Sequence, residues 1–104
     1  MNKYNIEITE PAEKDLYEIG QYIATELLEP AFAKKVVGEI SEAILKLEGL
    51  PLRNTLVADE RLALCGIRKI IIDNYIVFYI ANEEQKTVTI VRILYGRRDW
   101  INLL

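Results

Sequence analysis

The chain begins with a short alternation of polar and apolar side chains that gives way to a helical period. Residues Tyr4 to Ile8 alternate with a period of two, which indicates a strand with one buried face. Thr9 then supplies a candidate N-cap hydroxyl. Apolar side chains next recur at spacings of three or four, which predicts one face of an amphipathic helix. These side chains are Ala12, Leu16, Ile19, Ile23 and Leu27.

A second stretch of helical period follows Pro30, which ends the first helix and opens the next. Its apolar stripe consists of Phe32, Val36, Ile40, Ile44 and Leu47. Gly49 and Pro51 end this helix. Two amphipathic helices with a short link predict an antiparallel helical hairpin. Residues 52–63 are polar and mixed, and we interpret them as a loop with room for one short strand.

The remaining residues predict three antiparallel strands in a meander. The strands cover residues 67–72, 75–80 and 87–95, with turns at Asp73-Asn74 and at residues 82–86. The middle strand has almost no polar residue, so we expect it to be central. Residues 97–104, the tail, are predicted as a short helix or an extended segment. The expected fold is α+β, a single domain over residues 1–104 in which the hairpin covers one face of a curved sheet.

Composition narrows the chemistry that this domain can perform. The 104 residues carry a net charge of −3 and include no histidine, which removes the commonest general base at neutral pH. Residues 1–50 hold five basic and ten acidic side chains (net −5), whereas residues 51–104 hold eight and six (net +2). We find no Gly-rich phosphate loop, metal-ligand spacing or nucleophile elbow, so we predict neither a cofactor nor a metal.

The single cysteine and the apolar runs suggest where the protein works. Cys65 lies between apolar neighbours and is expected to be a small buried residue. One cysteine allows no disulfide within the chain, which suits a reducing compartment. Residues 1–8 lack the basic and apolar regions of a signal peptide. No apolar run approaches the roughly 20 residues that span a bilayer. We therefore expect a cytoplasmic protein that has no membrane partner.

Four sequence segments, in this order, resemble the RelE/ParE superfamily of bacterial toxins. The segments are Ile8 to Leu16, Gly66 to Lys69, Tyr75 to Tyr79 and Val91 to Trp100. The resemblance runs over essentially the whole chain. It implies the toxin of a type II toxin–antitoxin module, with a curved sheet packed on a helical hairpin. It also implies a cognate antitoxin whose C-terminal segment wraps the toxin, and contact with operator DNA only through that antitoxin.

The resemblance leaves two kinds of target open. RelE-like members cut mRNA inside the ribosome, whereas ParE-like members bind DNA gyrase and trap it on DNA. Among the positions that RelE-like nucleases use, Arg68 and Arg98 match basic residues. Ile76, however, stands where those nucleases carry an arginine, and Leu103 or Leu104 stands near their catalytic tyrosine. We therefore favour a non-catalytic gyrase inhibitor. The alternatives are a ribosome-dependent endonuclease and an inactive binding module of the same fold.

The candidate functional residues lie on the last strand and in the tail. If the protein is a nuclease, the catalytic candidates are Arg68, Arg92, Tyr95 and Arg98. The partner-binding candidates are Arg92, Tyr95, Arg97, Arg98 and Trp100. Each has a packing alternative: Tyr95 as a half-buried strand residue, and Trp100 as an anchor that fixes the tail to the core. Strict alternation places Arg92 on the face of Val88, Ile90 and Leu94. The helix carboxylates, Asp15 among them, are interpreted as a solvated face.

Overall fold

The computed structural model describes residues 3–104, in which a four-stranded sheet packs on a helical hairpin. Strand β1 (Asn5–Ile8) leads directly into helix α1 (Glu10–Gln21). Thr9 caps α1 as predicted, because its hydroxyl accepts the Ala12 amide at 3.3 Å. The same hydroxyl donates to the Ile90 carbonyl at 2.8 Å. One side chain therefore starts the helix and fastens it to the last strand.

The helical hairpin forms as predicted, with an irregular tip. After α1 the chain continues as a single π-helical turn (Tyr22–Glu26), and helix α2 spans Pro30–Leu45. Leu28 lies between them with φ 55°, in the left-handed region that bulky residues rarely adopt. Its side chain is 79% exposed, so packing does not hold it there. The reversal of the chain between the two helices requires this conformation.

The sheet has the order β1-β4-β3-β2. Strands β2 (Ile67–Ile72), β3 (Tyr75–Asn82) and β4 (Thr87–Tyr95) form the predicted antiparallel meander. Strand β1 pairs in parallel with the first four residues of β4, and this strand pairing ends at Ile90. Strand β3 is central, as its apolar sequence predicts. Asp73, at φ 53°, makes the tight β2–β3 turn.

A β-bulge in β4 changes which face its side chains occupy. Phe78 pairs with Arg92 but Tyr79 pairs with Ile90, so Val91 is an extra residue. Before the bulge, Val88 and Ile90 face the helices; after it, Leu94 and Arg92 lie on the opposite face with Phe78. The prediction that Arg92 shares a face with Val88 and Ile90 is therefore wrong. Strict alternation cannot anticipate an inserted residue.

Both faces of the sheet are covered, whereas we expected helices on only one. The hairpin packs on the first face, where Ile23, Val36, Ile40, Tyr79 and Ile90 form the main core. On the second face, a smaller cluster forms around Phe78, Ile76 and Leu94. It is covered by a short helix, α3 (Glu60–Leu64), and by the tail. The segment predicted as a loop therefore contains a helix, which Asp59 caps through the Leu62 amide.

Two further expectations change with the structure. Cys65 follows α3 and is exposed, so its prediction as a buried residue is wrong. Its apolar neighbours did not indicate burial, because Leu64 is itself exposed at the surface. The expectation about a signal peptide rests partly on Met1 and Asn2, which lie outside the described residues. Over residues 3–104, no helix combines the length and the apolar character needed to cross a membrane.

Candidate functional site

Arg92 makes the most constrained contact among the predicted site residues. Its Nε and Nη2 atoms donate to the two carboxylate oxygens of Asp15, at 2.7 and 2.8 Å. The Arg92 side chain is 22% exposed and that of Asp15 only 9%. This hydrogen bonding to Asp15 raises the pKa of the Arg92 guanidinium above its usual value, against the effect of burial. The guanidinium is thus permanently charged and held in one plane.

Asp15 also completes the hydrogen bonding of the sheet edge. Strand β1 covers β4 only as far as Ile90, and one carboxylate oxygen of Asp15 accepts the Ile93 amide at 3.0 Å. A buried side chain with three N–H donors does not belong to a solvated face, so that interpretation of Asp15 is wrong. The sequence did hold a signal. Asp15 falls three residues after Ala12 and four before Ile19, on the apolar stripe of α1.

The tail closes over the second face of the sheet. The ring of Trp100 packs on that of Phe78, with 5.1 Å between centroids, and Leu103 and Leu104 join the same cluster. Trp100 to Asn102 form a 3₁₀ turn. The remaining Arg92 nitrogen, Nη1, donates to the Leu103 carbonyl at 3.2 Å. The predicted site residues Arg92 and Trp100 therefore both attach the tail to the sheet, Arg92 through the Leu103 carbonyl and Trp100 through Phe78.

Arg68 lies apart from this group. It pairs with Tyr79 across the sheet, and its guanidinium donates to the Asn54 carbonyl at 2.6 Å. The Asn54 amide in turn donates to the Tyr79 hydroxyl at 3.1 Å. Arg68 therefore fixes the loop before α3 and does not share a face with Arg92. Its neighbour Lys69 lies in register with Phe78, in the same row of side chains as Arg92.

Tyr95 and Arg98 meet at a groove of about 680 Å³ between the hairpin tip and the end of β4. Tyr95 packs edge-on against Tyr75, with ring centroids 5.7 Å apart, and both are partly exposed. Burial, and the nearby Tyr95 and Tyr22, raise the pKa of the Tyr75 hydroxyl. The Arg98 amide donates to the Tyr95 carbonyl at 3.0 Å, and this tight turn leaves the Arg97 and Arg98 side chains exposed.

The residues that depart from the nuclease pattern come together in space. Ile76 is 7% exposed in the apolar cluster of the second face, and Leu103 and Leu104 pack against the same cluster. Arg92, which shares this row of the sheet with Lys69, is paired with Asp15. Ile76, Leu103 and Leu104 are apolar, so these three positions offer no group that could take or give a proton.

The fold is similar to those of several solved toxin–antitoxin structures. It is similar to the chromosomal ParDE system of P. aeruginosa, with a TM-score of 0.73 and 21% identity over 91% of this chain and 98% of the other. It is similar to the RelBE2 toxin–antitoxin complex of Mycobacterium tuberculosis (TM-score 0.67, 22% identity, 91% and 93% covered). It is also similar to a free double mutant of the E. coli toxin RelE (0.67, 14%, 97% and 92%).

The family follows from the sequence match. Residues 6–100 match the family described as the ParE toxin of the type II toxin–antitoxin system parDE. The chain belongs to this family and is a RelE/ParE-superfamily toxin of a type II module, as the sequence resemblance predicted. None of the curated proteins matches the chain in sequence.

Proposed function

We propose that this toxin arrests growth by binding DNA gyrase without catalysis. The observation that supports this target is the closed second face of the sheet. There Ile76, Leu103 and Leu104 occupy the positions that the resemblance assigns to nuclease chemistry, and all three lie in an apolar cluster. Cleavage by a 2′-hydroxyl requires a proton acceptor, a proton donor and stabilisation of phosphate charge. A non-catalytic toxin requires only a surface that fits its target.

The target-binding surface in this proposal is the start of the tail. Arg97 and Arg98 are exposed, and Tyr95 is partly exposed beside them. Arginine and tyrosine are enriched among the residues that dominate protein interfaces, and arginine binds carboxylates and phosphates with two hydrogen bonds. Arg92 and Trp100, the other partner-binding candidates, support this surface from behind. Gyrase and its DNA are cytoplasmic, so the proposal carries a cytoplasmic location with it.

A comparison of DNA and protein synthesis tests the proposed target. Cells would receive labelled thymidine or labelled methionine within minutes of toxin induction. We expect thymidine incorporation to fall first, and the purified toxin to inhibit supercoiling by gyrase. The test variant carries Arg97→Ala and Arg98→Ala. It should lose both the effect on thymidine incorporation and the inhibition of supercoiling, and it should keep its melting temperature. A first fall in methionine incorporation would overturn the gyrase proposal, and wild-type arrest by the double variant would overturn the binding surface.

A ribosome-dependent endonuclease is the second candidate, and one observation favours it. Tyr95 and Arg98 both line the groove of about 680 Å³, so a phenol and a guanidinium border the same opening. In that case Tyr95→Phe should spare the fold and abolish mRNA cleavage in translating cells. Unchanged cleavage in this variant would exclude Tyr95 as a catalytic group.

A cognate antitoxin is the second partner that we propose, as expected for a toxin of this class. The hairpin tip exposes large apolar side chains, with Tyr22 56%, Leu28 79% and Phe32 48% accessible. Such patches mark interaction surfaces or aggregation sites. Toxin produced alone should therefore aggregate, and co-expression with the antitoxin encoded beside it should keep it in solution. A well-expressed monomeric toxin without antitoxin would contradict this expectation. Operator DNA would be contacted only through the antitoxin.

A further inference from the structure

We infer that Asp15 is a positioning residue, which acts through Arg92 to hold the tail where Arg97 and Arg98 face the target. Asp15 lies on α1 and touches no residue of the proposed target-binding surface through its own carboxylate. Its influence on the tail passes through the Arg92 guanidinium, whereas its bond to the Ile93 amide stays at the edge of the sheet. The expected effect on activity rests on the proposed function, whereas the positioning of the tail rests on hydrogen-bond geometry alone.

The first step is the orientation of Arg92. A guanidinium is planar, and two parallel hydrogen bonds to one carboxylate fix both its position and its plane. Nε and Nη2 are committed to Asp15 at 2.7 and 2.8 Å. The direction of Nη1 is then determined, and Nη1 donates to the Leu103 carbonyl at 3.2 Å. Without Asp15, the long arginine side chain would populate other rotamers, in which Nη1 does not reach that carbonyl.

The second step is the small number of contacts that hold the tail. Between residues 97 and 104, the described hydrogen bonds that leave the tail are those from Arg98 to Tyr95 and from Arg92 to Leu103. The remaining attachment is apolar, through Trp100 on Phe78 and the last two leucines. A segment of this length loses backbone entropy when it is ordered, so one charge-assisted bond is a large share of what holds it.

The third step connects the tail to activity. Arg97 and Arg98 lie between two fixed points, the end of β4 and the Trp100–Leu103 attachment. When both points are held, the two arginines are presented from a defined backbone, and the target binds without ordering them first. When the second point is released, the arginines remain in the sequence but must be ordered during binding. Activity should then fall although no target-contacting residue has changed.

The chain contains its own reporter for this test, because Trp100 is its single tryptophan. We would measure the emission maximum of Trp100 and its quenching by acrylamide in the purified toxin. The variants are Arg92→Lys, which keeps the charge but loses the planar fork, and Asp15→Asn, which keeps the shape but loses one acceptor oxygen. Losing this charge-assisted hydrogen bond should lower the closed-to-open ratio of the tail about tenfold. Emission should shift to longer wavelength and quenching should rise.

Two further variants keep the test decisive if the Asp15 and Arg92 variants unfold. Deletion of residues 103–104 removes the acceptor carbonyl together with the two leucines that pack on the Phe78 cluster, and it leaves the Asp15–Arg92 pair intact. It should therefore give a spectral shift at least as large. Arg61→Lys is the matched control, because the Arg61 side chain is 77% exposed, lies 3.9 Å from Asp59 and should not change Trp100 when its charge is kept. Far-UV circular dichroism would verify that each compared variant is folded.

The inference is supported if the folded variants shift the Trp100 signal and lose growth arrest together. It is overturned if Trp100 keeps its wild-type spectrum in folded Arg92→Lys, Asp15→Asn and the deletion variant. It is also overturned if the spectrum shifts while arrest stays at the wild-type level, because the position of the tail would then not matter. Failure of the proposed binding surface is a separate result, namely wild-type growth arrest by the double variant with Arg97→Ala and Arg98→Ala.

Discussion

Removing the Asp15 carboxylate should destabilise the whole domain. In Asp15→Ala, the Arg92 guanidinium loses two charge-assisted hydrogen bonds, and the Ile93 amide loses its acceptor. Breaking a buried ion pair by removing one partner costs about 3–5 kcal/mol. The Arg92 side chain is 22% exposed, so water replaces part of what it loses, and we expect the lower end of that range. A loss of about 3 kcal/mol is a large fraction of the stability of a domain this size.

Urea unfolding followed by circular dichroism would measure this loss of free energy. The midpoint concentration should fall and the slope should stay unchanged, because the native fold is the same. Lys14→Ala is the matched control on the same helix, since Lys14 pairs with Glu18 at 3.9 Å with both side chains largely exposed. Its effect should stay within about 0.5 kcal/mol. A loss below about 1 kcal/mol in Asp15→Ala would place the Asp15–Arg92 contact among surface ion pairs and refute the reasoning.

Three smaller perturbations test local features of the backbone and the surface. Gly66→Ala should destabilise the domain by about 1 kcal/mol in urea unfolding, because Gly66 has φ 82°. Gly38→Ala, at an exposed position of α2, should instead stabilise it by about 0.5–1 kcal/mol, and equal effects would contradict this. Leu28→Asn should raise the melting temperature slightly, because asparagine tolerates φ 55° better, and a fall would show that the exposed leucine packs. The neighbouring Asp73 carboxyl raises the pKa of Glu39, so the folded state binds this proton more tightly. Stability should therefore fall as pH rises through the window above the usual glutamate pKa. Glu39→Gln should flatten that dependence in melting curves recorded between pH 4 and 7, and an unchanged slope would contradict the assignment.

The sequence by itself predicted the four strands, the helical hairpin and their order correctly, although it missed helix α3. Local chemistry explains this, because Thr9, Pro30 and the Asp73-Asn74 turn act through their own backbone, and apolar periods of two and of three to four reveal the buried faces. The resemblance to RelE/ParE toxins was also correct. It rests on four segments spread along the chain, and residues 6–100 match the ParE toxin family.

The tertiary structure decided the contents of the site. The Val91 bulge moved Arg92 to the other face of β4, and a bulge depends on pairing with β3, which no local pattern contains. The partner of Arg92 is 77 residues away in the sequence, on a helix whose carboxylates otherwise face water. The tail packs over Phe78 because this buries apolar side chains on the second face of the sheet. A sequence shows which side chains are stabilised by burial or by pairing, but only the packed chain determines which of them are in contact.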